Sequence, residues 1–201
     1  KRADKDKKKI CEFAIVVHGG AFNIPDSIYE ASESGVRNAV CAGYKVLKEG
    51  GNALDAVEAA VNSLENDPTF DAGYGSVLTQ ESEIEMDAMI MDGRNLDVGG
   101  IACVKTVRNP ISLARKVKDQ TNHTLIVGVG ADKIARKFGI EKVGTTELTT
   151  QAAIDELALF HGKYDSTVNN LFNTHVLDND VSSMCHDTVG CVCIDRHGNL
   201  A

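Results

Sequence analysis

Two helical periods stand back to back, separated only by Gly50-Gly51-Asn52. Val36, Val40, Tyr44 and Leu47 recur at three-to-four spacing, and so do Leu54, Val57, Val61 and Leu64. Glycine stops the first helix, as it does just past a helix end, and Asn52 supplies an N-cap for the second. Ala53, Ala56, Ala59 and Ala60 let that second helix pack closely, and Asp67-Pro68 ends it. Each helix has one apolar stripe, so each must cover something.

Strands supply what they cover. Phe13 to Val17 is a β-rich run closed by Gly19-Gly20, followed by a polar connection to about Ser32. The stretch "DAGYGSVLTQESEIEMDAMIMDG" reads as loop, strand, turn, strand. Its second strand, from about Ile84 to Met91, alternates Ile84, Met86, Ala88 and Ile90 against Glu85, Asp87, Met89 and Met91. Val98 to Val107 follows as a strand, Asn109-Pro110 opens a helix, and His123 to Val127 is a further strand. Helices are expected over Ala131 to Phe138 and Gln151 to Phe160. The order predicts a layered α+β architecture, with two helices beside a mostly antiparallel sheet. No internal repeat is present.

Charge narrows the function classes. The 201 residues carry a net charge of −8 despite a basic start, "KRADKDKKK". The body is therefore acidic, which argues against nucleic acid as a partner, and the start reads as a solvated tail. The apolar run after the tail is short and contains Glu12, so it reads as a buried strand and not a signal peptide. No run is long enough to span a membrane. Cys11, Cys41, Cys103, Cys185, Cys191 and Cys193 do not form a dense disulfide framework, and most lie in apolar runs. Reduced thiols and a cytoplasmic setting are expected. Cys191 and Cys193 share a strand face, but no second pair completes a tetrahedral metal site.

Four places hold candidate chemistry. His18-Gly19-Gly20 after a strand is a tight turn or an anion cradle, without the lysine of a P-loop. The stretch "LENDPTFDAGYG" from Leu64 to Gly75 is an irregular loop whose carbonyls can face a hard cation, or a plain connection. Asp87, inside an apolar strand, is a better functional candidate than Asp92, which turn chemistry explains. From His161 to Cys185 the chain is polar and without period. That stretch leads to His186-Asp187-Thr188, where an apolar strand opens, with Val189, Cys191 and Cys193 on one side and Gly190, Val192 and Ile194 on the other. A threonine hydroxyl is a poor nucleophile unless a base sits beside it. Its own α-amine, freed by cutting the preceding bond, is one such base, with an ordinary pKa of roughly 7.7–8.0.

The segments "VVHGGAF", "GGNALDAVEAAV", "LENDPTFDAGYGSVLT", "EMDAMIMDG", "NPISLARKV" and "HDTVGCVCIDRHGNLA" occur here in order. Together they resemble the plant-type asparaginase / isoaspartyl peptidase family, N-terminal-nucleophile hydrolases that also include glycosylasparaginase and the threonine aspartase. The resemblance runs from about Phe13 to Ala201. It implies a four-layer αββα sandwich, made as a precursor that cuts itself at Asp187–Thr188, with Thr188 as the nucleophile. Residues 1–187 correspond to the α part, with the basic tail and the 161–187 linker, and 188–201 to the first strand and turn of the β part. The resemblance places Gly19 and Gly20 near the nucleophile. It implies asparagine and isoaspartyl dipeptides as substrates, a homo-oligomer of αβ units, no catalytic cofactor, and a structural sodium ion. The carbonyls of Leu64, Glu65, Asp67, Phe70, Ala72 and Tyr74 would hold that sodium.

Three departures stand out. Asp71 takes the place of a usual asparagine that helps hold the nucleophile. The His-Asp before Thr188 is closer to the glycosylasparaginase branch. The family's second threonine, its Thr-Gly oxyanion hole and its substrate-binding arginine and aspartate fall past Ala201. The chain is thus expected to be an α part still joined to the first β-part strand, inactive by itself. The alternatives are a glycosylasparaginase, and a non-catalytic remnant that binds a full-length relative.

Overall fold

The Gly50-Gly51-Asn52 break joins two helices, α1 (Asp26–Lys48) and α2 (Ala53–Glu65). Gly50 takes a left-handed φ of 89°, and the N–H of Gly51 donates to the Val46 carbonyl at 2.8 Å, which closes the end of α1. The Asn52 side chain accepts from the Asp55 N–H at 2.9 Å and caps α2. Such a cap contributes about 1 kcal/mol. The computed structural model describes residues 12–21, 24–160 and 188–201. The basic tail with Cys11, and the 161–187 stretch with Cys185, His186 and Asp187, lie outside the described residues.

The remaining elements are β1 (Ala14–His18), β2 (Met86–Asp92), β3 (Asp97–Val104), α3 (Pro110–Gln120), β4 (Leu125–Val127), α4 (Val129–Lys137), α5 (Thr145–Leu148), α6 (Gln151–Phe160) and β5 (Gly190–Ile194). The mixed helix and sheet content is α+β. The strands form two sheets among the described residues, where the local pattern predicts one sheet and the resemblance implies two. β1 pairs with β5 antiparallel, and β2 and β3 form an antiparallel pair. β4 joins β3 in parallel, because α3 carries the chain back across the sheet.

Helices cover one face of each sheet. α1 packs on β1, α2 on β5, and α3 on β2 and β3. A single apolar cluster links Leu47, Val57, Ile90, Ile101, Leu113 and Cys193, so both sheets share one core. The other faces carry exposed apolar side chains. Val16 and Val192, directly paired, are 64% and 61% exposed. Met89, opposite Gly100, is 65% exposed, and Leu125, on the other side of Gly100, is 57% exposed.

The buried stripe of α1 differs from the expected one. It is Ser32, Gly35, Ala39, Gly43 and Leu47, not Val36, Val40 and Tyr44. Small residues let α1 approach its neighbours. A Cβ on Gly43 would stand 2.3 Å from Ile15 Cδ1 and 2.8 Å from the Ala56 carbonyl oxygen. The first two turns of α1, expected as a polar connection, are helical but mostly solvent-facing, which removes the apolar period. Pro25 and Asp26 are their start signal. The strand expected between Gly75 and Ile84 does not form; Thr79 and Glu83 instead close a turn, Thr79 N–H donating to the Glu83 carbonyl at 2.8 Å. The β2 alternation holds, with Met86 and Ile90 buried and Asp87, Met89 and Met91 exposed. Among the described residues no helix is long and apolar enough to cross a membrane.

Candidate active site

The β1–β5 register sets the site. His18 faces Gly190 and Val17 faces Cys191. Because the strands run antiparallel, Gly19-Gly20 leaves β1 at the same sheet end where Thr188 and Val189 enter β5. The His18 imidazole lies over the Gly190 α-carbon, so a Cβ there would stand 2.3 Å from Nε2. Thr188 is exposed and Val189 half-buried.

Phe70 ties the loop after α2 to this end. Its buried ring lies between two glycines: a Cβ on Gly19 would stand 2.4 Å from Cε1, and one on Gly35 2.4 Å from Cε2. Ala39, Leu64 and Phe70 form a small core cluster against which Val17, Val36 and Val189 pack. The residue after Thr188, the turn after β1 and the 64–75 loop therefore meet at one cluster, with the Phe70 ring in it. The sequence-expected residues Gly19 and Phe70 come together in this way, and Thr188 immediately precedes Val189 at the edge of the cluster.

The loop folds on itself through main-chain bonds. Tyr74 N–H donates to the Glu65 carbonyl at 2.7 Å, and Ala72 N–H to the Phe70 carbonyl at 2.9 Å. Asp67 accepts from Thr69 N–H at 3.0 Å, and Asp71 Oδ1 from Val77 N–H at 3.0 Å. Gly73 and Gly75 have φ of 56° and 143°, where a side chain is strained. They are also sites of close approach. A Cβ on Gly73 would stand 2.4 Å from the Glu65 oxygen, and one on Gly75 2.5 Å from the Phe70 oxygen and 3.0 Å from the Pro68 oxygen. The Glu65, Phe70 and Pro68 main-chain oxygens thus lie against glycine backbone, and main-chain oxygens are donors that a hard cation takes. Pro68 was not among the residues expected from sequence. Among the described residues no group of three or more His, Cys, Asp or Glu side chains could hold a metal.

The Glu65 side chain points away from the loop interior and was missed by sequence reasoning. It is buried, and its carboxylate accepts from Ile111 N–H at 2.8 Å and from Asn109 Nδ2 at 3.0 Å. It caps α3 from a different helix, since Asn109 makes no side-chain cap of its own. Burial pushes the Glu65 carboxyl up to about 8, against those two hydrogen bonds, which favour the charged form.

The two strand aspartates serve the sheet. Asp87, the stronger functional candidate, accepts from Cys103 N–H at 2.7 Å where the β2–β3 register shifts and Cys103 takes a φ of 51°. It clamps a β-bulge. Asp92 accepts from the Arg94 N–H at 3.0 Å and pairs with its guanidinium, which holds the Asp92 carboxyl down at about 2.

At the far end of β5, Asp195 is fully buried. It accepts from the N–H groups of Ala53 at 3.3 Å, His197 at 2.8 Å and Asn199 at 3.0 Å, and from Asn199 Nδ2 at 3.0 Å. Burial would raise its carboxyl, but these bonds hold it below the usual carboxylate range. Beside it lies a polar cavity of about 130 Å³, lined by Arg94, Arg115, Lys118 and Asn199 among others. Burial pushes the Cys191 and Cys193 thiols up to about 12 and 11, so both stay protonated.

Residues 11–201 match the family model described as "Asparaginase". The isoaspartyl peptidase/L-asparaginase of Mus musculus is 43% identical over 93% of this chain and 54% of its own length. The corresponding protein of Danio rerio is 40% identical over 93% of this chain and 57% of its own. A plant-type L-asparaginase of Thermococcus kodakarensis is 53% identical over 64% of this chain and 42% of its own. The chain spans about half the length of the curated relatives it matches.

Proposed function

The chain belongs to the asparaginase family, and from that premise we propose that it is the α part, with the first β-part strand, of a self-cleaving threonine hydrolase of the αββα type. The substrates proposed are the side-chain amide of asparagine and the β-linked bond of isoaspartyl dipeptides, in keeping with the names of its relatives. The observation that carries this reading is the convergence at the Phe70 cluster: Gly19 lies against the ring, and Val189, next to Thr188, packs against the cluster of Ala39, Leu64 and Phe70.

In the precursor, the Thr188 hydroxyl oxygen attacks the Asp187 carbonyl carbon. The C–N bond breaks as the C–O bond forms, which leaves an ester and a free α-amine on Thr188. Water then hydrolyses the ester and releases Asp187 as a carboxylate. In the mature site the Thr188 amine takes the hydroxyl proton, the oxygen attacks the substrate amide carbon, and the protonated amine donates to the departing nitrogen. A second water repeats the attack on the acyl-enzyme. A sodium ion in the 64–75 loop would stiffen the wall behind Phe70; Leu64, Glu65, Asp67, Phe70, Ala72 and Tyr74 are the proposed residues.

The exposed apolar faces around Val16 and Val192, and around Met89 and Leu125, support a partner layer: the rest of the β part, with αβ units assembling further. Cys41, Cys103, Cys191 and Cys193 are all free, in keeping with a cytoplasmic setting. Turnover of an isoaspartyl dipeptide by the complete gene product, compared with T188A, tests the reading. Activity is expected only with a hydroxyl at 188, and an active T188A protein would rule the mechanism out.

A further inference from the structure

Glu65 joins two parts of the molecule through different groups. Its carboxylate is fixed on α3 by Ile111 N–H and Asn109 Nδ2. Its carbonyl oxygen accepts from Tyr74 N–H at 2.7 Å and thereby holds the far limb of the loop. Gly73 lies close enough that a Cβ would meet the Glu65 oxygen at 2.4 Å and its Cβ at 2.8 Å, so the limb lies against Glu65 itself. Between these limbs stands Phe70, packed on Gly19, Gly35 and the cluster that includes Val189. Asn109 makes no hydrogen bond to its own helix through its side chain, so its amide is committed to Glu65.

We propose that Glu65 is a positioning residue for the Thr188 end of the sheet: its side chain anchors the 66–75 loop to α3, and Phe70 passes that constraint to Gly19 and Val189. The catalytic consequence rests on Thr188 being the nucleophile; the mechanical coupling does not. Removing the anchor frees the end of α2 and the loop that leaves it, which loosens the wedge under Phe70. The strand end at 188–190 then loses one of its packed neighbours.

Amide hydrogen exchange on the full chain tests this with E65A, N109A and E65Q. E65A and N109A should speed exchange about tenfold in the 66–77 and 189–192 segments, with β2 and β3 unchanged. E65Q keeps an acceptor for Ile111 N–H and should restore slow exchange in both segments. Should E65A fail to fold, N109A carries the test, because its side chain supports nothing in α3 itself. Acceleration confined to the first turn of α3, or no rescue by E65Q, would overturn the proposal and leave Glu65 as a helix cap. If T188A in the complete gene product still cleaved at Asp187–Thr188, the nucleophile assignment would fall while the exchange result stood.

Discussion

The ring of Phe70 lies against the α-carbon of Gly19, so close that a methyl group there would stand 2.4 Å from Cε1. Phe70 is buried and held on its other side by Gly35, so it has nowhere to retreat. G19A should therefore destabilise the fold by about 1–3 kcal/mol through overpacking. Urea unfolding measures this. Adding F70L to G19A should recover part of the loss, whereas F70L alone should be destabilising.

The 64–75 loop should respond to monovalent cations. Replacing sodium with choline at equal ionic strength should lower the melting temperature by about 2–4 °C, because a cation bound only to the folded loop adds stability. G73A should abolish the difference, since its Cβ would occupy the space beside the Glu65 oxygen. Equal melting curves in the two salts would make the loop a plain connector.

Acid should weaken the β2–β3 hairpin. The Arg94 guanidinium beside Asp92 holds its carboxyl at about 2, against an ordinary 3.8. The folded-state value is depressed, so the contribution is present above 3.8 and is lost as pH falls through that range towards about 2. Water around the exposed Arg94 limits it to about 1–2 kcal/mol. D92N should show a stability deficit at neutral pH that shrinks below about pH 4.

The uncovered sheet faces should drive association of the isolated 201-residue chain. Sedimentation velocity should show species larger than a monomer, and M89E combined with V127E should shift them towards monomer. The same preparation should release no ammonia from asparagine. In the proposed reading the oxyanion donors come from the partner layer, and each such donor is worth roughly 3–4 kcal/mol in the transition state. A monodisperse, active monomer would contradict both expectations.

Much of the fold was legible because local chemistry decided it. Asn52 caps α2 through its own side chain, and Asn109-Pro110 opens α3. The β2 alternation reflects one buried face. The α1 stripe was misread because Gly35, Ala39 and Gly43 are buried for their smallness, and a hydrophobic period does not register glycine. The role of Asp87 was invisible because it depends on a bulge in a partner strand, at Cys103. The split into two sheets depends on long-range pairing of β1 with β5, which no local pattern encodes and only the resemblance implies. At the site, the resemblance supplied Thr188 and Gly19, but the Glu65 side chain acts across 46 residues on Ile111 and leaves no mark at short range.

N-terminal sequencing of the smaller fragment formed by the complete gene product tests the central claim most directly. Without added protease, the chain should break once, and the new fragment should begin at Thr188, with T188A remaining intact. A fragment beginning at any other residue, or a T188A protein that breaks as the wild type does, would contradict the account.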